Sequence, residues 1–246
     1  MTLQEAIEAR HSVRAYKNKP LTDDIVKVLE EEIAILNRKG KLHIQLILNE
    51  PKAFQGTLAK YGKFRGVANY LVMAGQKADD LDERVGYYGE HLVLLAQTLG
   101  LNTCWVGLSY SKIPGTYKLD KGEKIACYIA IGYGETQGVG HKIKTVEQVS
   151  RSAHETNGLS KNEGGDTPLW FKKGVEAALL APTAVNQQKF SFEYLGVEDG
   201  GENQSSRRHK VLAKKGFSLI GYTQMDMGIA KYHFEIGAGK ENFEWV

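Results

Sequence analysis

The stretch from Ser150 to Asp166 constrains this chain more than any other feature. It holds Ser, Asn, Gly, Glu and Lys and almost nothing apolar, so it has no face to bury and reads as a linker. The residues on either side are rich in apolar periodicity. The chain is therefore expected to form one domain, 1–246, built from two halves of about 1–149 and 167–246 joined by 150–166.

Each half reads as helices around strands. Thr2 and Glu5 have capping-box spacing, in which each side chain satisfies a free backbone N–H of the other. A short helix should follow and run into Arg10. A second begins after Thr22, with Asp23 and Asp24 at the positive end of its dipole and Ile25, Val28, Leu29, Ile33 and Leu36 as its apolar positions. Leu42–Leu48 and Asn69–Ala74 read as strands. Arg84–Leu99 is the most periodic helix, with Gly100 as its stop. Lys124–Gly132 is a buried strand. In the second half, Thr167–Pro168 starts a helix that ends at Ala181–Pro182. Strands are expected at Phe190–Gly196 and Phe217–Tyr222, and a last helix over about Asp226–Phe243. Gly86–Gln97 can be laid on Gly228–Gly239, which suggests that the halves are related.

Composition excludes several classes. Thirty-two basic and 29 acidic side chains leave a net charge of +3, too balanced for a broad nucleic-acid surface. Cys104 and Cys127 lie in apolar stretches and read as buried thiols. There is no CxxC, HExxH or clustered His/Cys set, so no metal is expected. No run reaches the ~18–20 apolar residues of a membrane span. The acidic, helix-like start lacks the features of a secretory signal, so a cytoplasmic protein is expected.

Four segments could carry chemistry. Arg10-His11-Ser12-Val13-Arg14 places two guanidiniums around a hydroxyl, a pattern suited to phosphate but equally to a solvated basic turn. Ala181-Pro182-Thr183-Ala184-Val185-Asn186-Gln187-Gln188 could lie against a planar ligand and satisfy its polar atoms, or simply connect helix to strand. In Gly100–Leu108, Gly107 lets backbone approach a ligand closely; the plain alternative is a packed strand end. Lys142 and Lys144 would share one side of an extended segment, or lie in a solvated loop.

Together these segments resemble the nitroreductase family of flavoenzymes. Arg10, Ser12 and Arg14 match its R-x-S-x-R turn. Ala181, Pro182, Thr183, Asn186 and Gln188 match its A-P-S-x-x-N-x-Q loop, with Lys189 and Phe190 in place of the usual Pro-Trp. Gly100, Leu101, Cys104, Trp105 and Gly107 match its G-L-x-x-C-W-x-G segment. The resemblance implies an α+β fold of antiparallel-rich sheets flanked by helices, and an FMN cofactor reduced by NADH or NADPH. It implies that Arg10 and Ser12, with His11 in the same turn, hold the phosphate and ribityl region, together with Lys142 and Lys144. Arg14 would face the flavin's pyrimidine edge, Gly107 its N5, and Pro182, Thr183 and Asn186 its other side. No protein acid or base is assigned, and the histidines read as structural.

Family members are usually homodimers in which one subunit gives the arginine turn and the other the A-P-S loop. This chain has one of each, in opposite halves, and Ile35–Gly40 supplies no such loop in the first half. The resemblance therefore implies a pseudo-dimer, possible as a monomer, with a single flavin site served by both halves. The implied reaction is two-electron reduction of a small nitro or quinone acceptor by a ping-pong mechanism. The competing readings are a flavin-binding or storage protein without dedicated turnover, other flavin chemistry such as reductive dehalogenation, and a plain scaffold whose flavin site has decayed, given the missing first-half loop.

Overall fold

The N-terminal capping box forms as its spacing requires: Thr2 N–H donates to Glu5 Oε2 at 2.8 Å and Glu5 N–H donates to Thr2 Oγ1 at 3.2 Å. It opens helix α1 (Leu3–Ala9) in a computed structural model that describes residues 1–152, 167–197 and 209–246. The chain divides into two compact units, Met1–His141 and Lys142–Val246.

In the first unit, strands β1 (Gln45–Ile47), β2 (Tyr70–Gln76), β3 (Asn102–Val106) and β4 (Glu123–Gly132) make one sheet in the order β1-β2-β4-β3, antiparallel throughout. Helices α2 (Asp23–Gly40), α3 (Thr57–Tyr61) and α4 (Leu81–Thr98) accompany it. Leu29, Ile33 and Leu36 of α2 are buried as expected, whereas Val28 is exposed. One core cluster runs along β2 and β4 through Tyr70, Val72, Tyr128 and Ala130, and includes Val13 and Tyr16 from the segment after α1. Tyr128 is stacked between Tyr110 and Tyr70, with ring centroids 3.9 and 4.9 Å away.

In the second unit, β5 (Ser150–Ser152), β6 (Phe190–Val197), β7 (His209–Lys215) and β8 (Phe243–Trp245) form a sheet in chain order. The β6–β7 pair is antiparallel and the outer pairs are parallel. Helices α5 (Val146–Val149), α6 (Leu169–Leu179) and α7 (Thr223–Ala238) complete it. Aromatic rings fill its core: Phe234 lies 5.6 Å from Phe171, 4.6 Å from Phe192 and 5.2 Å from Trp245.

Several boundaries differ from the sequence reading. Of the linker, Ser150–Ser152 is strand β5, and 153–166 lies outside the described residues. Pro168 is the N-cap of α6 and not its first residue. Phe217–Tyr222 is not a strand. Its pairing partner is used up, because Lys215 already pairs with Phe190, the first residue of β6. The strand is His209–Lys215, whose lysines hide its periodicity. The last helix stops at Ala238 and not near Phe243. Gly100 and Gly239, both at φ 76°, follow the last turns of α4 and α7 in the positive-φ region that glycine adopts without a Cβ penalty. Of the described residues, no helix is long and apolar enough to cross a membrane.

Candidate functional site

The Arg10–Arg14 turn is strapped to β3. Ser12 bridges Thr103 in parallel, and Val13 N–H donates to Thr103 O at 3.0 Å. The parallel direction carries the chain from Arg10 through Arg14 alongside β3 toward Gly107. Gly107 lies four residues past Thr103, roughly 13 Å along an extended strand. Val13 and Tyr16 are buried on either side of Arg14, which is itself exposed. Arg65 N–H donates to Arg14 O and Tyr16 N–H to Arg65 O, each at 3.0 Å, which pins the backbone there. On its other side the turn meets the glycine-rich segment. A Cβ on Gly138 would come within 2.7 Å of His11 Cβ and 3.2 Å of Ser12 O.

The two arginines have different surroundings. Arg10 is 3% exposed, and its Nε lies 3.8 Å from Oε1 of Glu90, which is fully buried. Trp105 Nε1–H donates to the other Glu90 oxygen at 2.9 Å. Burial pushes the Arg10 guanidinium down and Glu90 opposes it. Burial and the neighbouring Arg10 also push the His11 imidazole down. Cys104 is buried, which raises its thiol, while Arg14, Ser12 and Arg10 lower it.

In the second unit, Gln188 gathers the other predicted residues. It is 3% exposed. Its Nε2 donates to Lys142 O at 2.8 Å and to Asn186 Oδ1 at 2.9 Å, and its Oε1 accepts the Lys144 N–H at 2.9 Å. Lys144 Nζ donates to Gln188 O at 2.6 Å, and Gln188 N–H donates to Thr183 Oγ1 at 3.1 Å. Asn186 Nδ2 adds a bond to Lys142 O at 2.8 Å. Lys142, Lys144, Thr183 and Asn186 thus form one constellation. The Lys142 side chain is exposed, whereas the Lys144 ammonium is committed to the loop and is lowered by burial and by Lys189. Pro182 is half-buried just past α6.

The loop is strained. Val185, Asn186 and Gln188 take φ values of 46°, 56° and 44°. For a β-branched residue such as Val185 this region costs of order 1 kcal/mol or more, so surrounding contacts must impose it. One such contact comes from Asp226, 3% exposed in the first turn of α7. Its Oδ1 accepts the Ala184 N–H at 2.9 Å and its Oδ2 accepts from Gln187 Nε2 at 2.7 Å. Burial raises the Asp226 carboxyl from 3.8 to about 6, against those two bonds.

Glu90, Gln188 and Asp226 were not among the predicted site residues. Gln188 fell within the matched loop. Glu90 and Asp226 lie on helices where acidic residues are ordinary, and nothing local marks them as buried. His233 is fully buried with Nδ1 3.1 Å from Ala177 O, and His91 Nε2 lies 3.1 Å from Glu32. Both have the surroundings of structural histidines. His43, Asp120 and Glu123 bring potential ligand atoms within 4.8 Å of one another, but His43 Nδ1 and Glu123 Oε2 already pair at 2.7 Å.

Comparison with known families finds one model, described as "Putative TM nitroreductase", matching residues 2–238. A crystal structure of "a putative nitroreductase" from Thermotoga maritima superposes with a TM-score of 0.64 at 22% identity, covering 98% of this chain and 85% of that one. A nitroreductase from Desulfovibrio desulfuricans, also described as "putative" and solved in complex with FMN, covers 61% of this chain and 95% of its own at 16% identity and TM-score 0.48. One from Bacteroides fragilis with bound FMN covers 59% and 94% at 20% identity and TM-score 0.43. The sequence matches no curated protein.

Proposed function

Because the chain belongs to the TM nitroreductase family over residues 2–238, we propose that it is an FMN-dependent oxidoreductase. It takes electrons from NADH or NADPH and passes them to a small nitro or quinone acceptor in a ping-pong scheme. The observation that carries this reading is the Arg10–Arg14 turn, held alongside β3 in the direction of Gly107 with Arg14 exposed.

The donor chemistry present fits a flavin mononucleotide. Arg14 and Lys142 are exposed cations, Ser12 offers a hydroxyl, and Thr183 and Asn186 lie on a loop of small and amide side chains. Bound FMN supplies the two-electron chemistry, while the protein supplies position and electrostatics. A fixed guanidinium at Arg14 stabilises negative charge that develops beside it, and a site closed to water strengthens that effect. Arg10, paired with the buried Glu90, anchors the turn from beneath. Lys144, bound to Gln188 O, holds the loop that carries Thr183 and Asn186.

The test is NADH or NADPH oxidation by the purified, FMN-supplemented chain, with and without a quinone or nitroaromatic acceptor. Acceptor-dependent turnover supports the reading. Tight FMN binding without turnover on either nicotinamide would favour the storage protein.

A further inference from the structure

One side chain ties the Pro182–Gln188 loop to the segment that precedes α7. Gln187 Nε2 donates to Gly221 O at 3.0 Å and to Asp226 Oδ2 at 2.7 Å. Two acceptors therefore fix which end of the amide carries nitrogen. Gln187 Oε1 is buried and meets no donor among the described residues. The tethered segment carries Phe217, Leu219 and Ile220, which are 81%, 92% and 54% exposed.

We infer that Asp226 is a positioning residue that, through the Gln187 amide, holds the apolar segment Gly216–Gly221 at the Pro182–Gln188 loop when ionised and releases it when protonated. An ionised carboxylate accepts at both oxygens, as Ala184 and Gln187 require. A protonated one keeps an acceptor for the Ala184 N–H and presents an O–H to Gln187 Nε2, donor against donor. A half-turn of the amide resolves the conflict, because the orphaned Oε1 then accepts that O–H. The same half-turn removes Nε2 from Gly221 O, and the segment loses its tether. Relief of the donor–donor clash drives this exchange.

The switch falls in an accessible range, since burial raises the carboxyl to about 6. Its direct contacts on the 184–187 turn are neutral. The charged groups on the elements packed against α7 include Lys172, Lys173 and Glu176 of α6, Glu193 of β6, and Lys210, Lys214 and Lys215 of β7, while the raised carboxyl follows from burial. Lys214 and Lys215 are engaged by Glu193 and Gln224. The link to catalysis rests on the reading that Pro182–Asn186 contacts the flavin. On that reading, the apolar segment favours apolar, planar acceptors at neutral pH and loses that influence in acid. The latch itself needs no flavin.

The test is amide hydrogen exchange of the peptide spanning residues 216–222 in the full, FMN-free chain at about pH 7.5 and about pH 5, corrected for the intrinsic pH dependence of exchange. Protection should fall roughly tenfold at the lower pH, the factor that one lost hydrogen bond represents. Asp226→Asn presents an N–H where the protonated acid presents an O–H, so it should show the low protection at both pH values. Gln187→Leu should do the same. Wild-type protection that does not change, or an Asp226→Asn variant that keeps the wild-type pH response, overturns the inference. If either variant fails to fold, the wild-type comparison decides alone. FMN affinity is measured separately. Failure to bind FMN with the exchange pattern intact sinks the flavin reading and leaves the latch standing.

Discussion

Asp226 also makes a quantitative claim about stability. Its carboxyl is 3% exposed and raised from 3.8 to about 6. A group whose folded value lies above its unfolded value stabilises the fold fully below the unfolded value and loses that contribution as pH rises through the folded one. The gap of roughly two pH units corresponds to ~3 kcal/mol. Keeping Asp226 ionised at neutral pH therefore costs the fold up to that amount. Asp226→Asn removes the ionisation and keeps the shape. Urea unfolding of wild type and variant, from about pH 4 to about pH 7.5 without FMN, isolates the effect, because the other groups titrate in both. The stability of the variant relative to wild type should rise by up to ~3 kcal/mol across that range. A difference that stays flat with pH refutes the reasoning. The expected result pairs a more stable fold at neutral pH with a looser Gly216–Gly221 segment, a trade that is common where a functional arrangement is held at a cost.

The remaining predictions separate anchoring from tuning. Arg10→Ala removes a cationic partner of the fully buried Glu90, and should destabilise the protein by ~3 kcal/mol in urea unfolding as well as weakening FMN. Arg14→Ala removes an exposed side chain, so stability should stay within about 0.5 kcal/mol, while the flavin potential falls and hydride uptake slows. Equal behaviour of the two variants in both assays would remove this division. Gln188→Ala deletes three side-chain bonds at the 3% exposed centre of the second constellation, and should cost ~2–3 kcal/mol by thermal unfolding with at least tenfold weaker FMN binding.

Much of the fold could be read from the sequence because periodicity and caps are local. The capping box at Thr2, the buried Leu29, Ile33 and Leu36 of α2, and the buried run in β4 all follow from spacing alone. The failures have a common cause. β7 carries four basic residues in seven, His209, Lys210, Lys214 and Lys215, so its pattern looks solvated. Phe217–Tyr222 looks like a strand because it is apolar, and it fails only for want of a partner in register. The candidate site divides in the same way. The motif residues were visible as motifs, but their surroundings were not. No local signal shows that Arg10 is turned to Glu90 while Arg14, four residues on, is exposed. None marks Gln188 as the hub for Lys142 and Lys144, or Asp226 as buried, since these contacts join residues 39 to 80 positions apart.

The central claim is tested most directly by titrating the purified, flavin-free chain with FMN and following flavin fluorescence, alongside Arg14→Ala and Asn186→Ala. The account predicts one FMN per chain, bound at micromolar concentration or below, with affinity for that same flavin reduced by either substitution. No binding at micromolar FMN, or saturation at two FMN per chain, would contradict it.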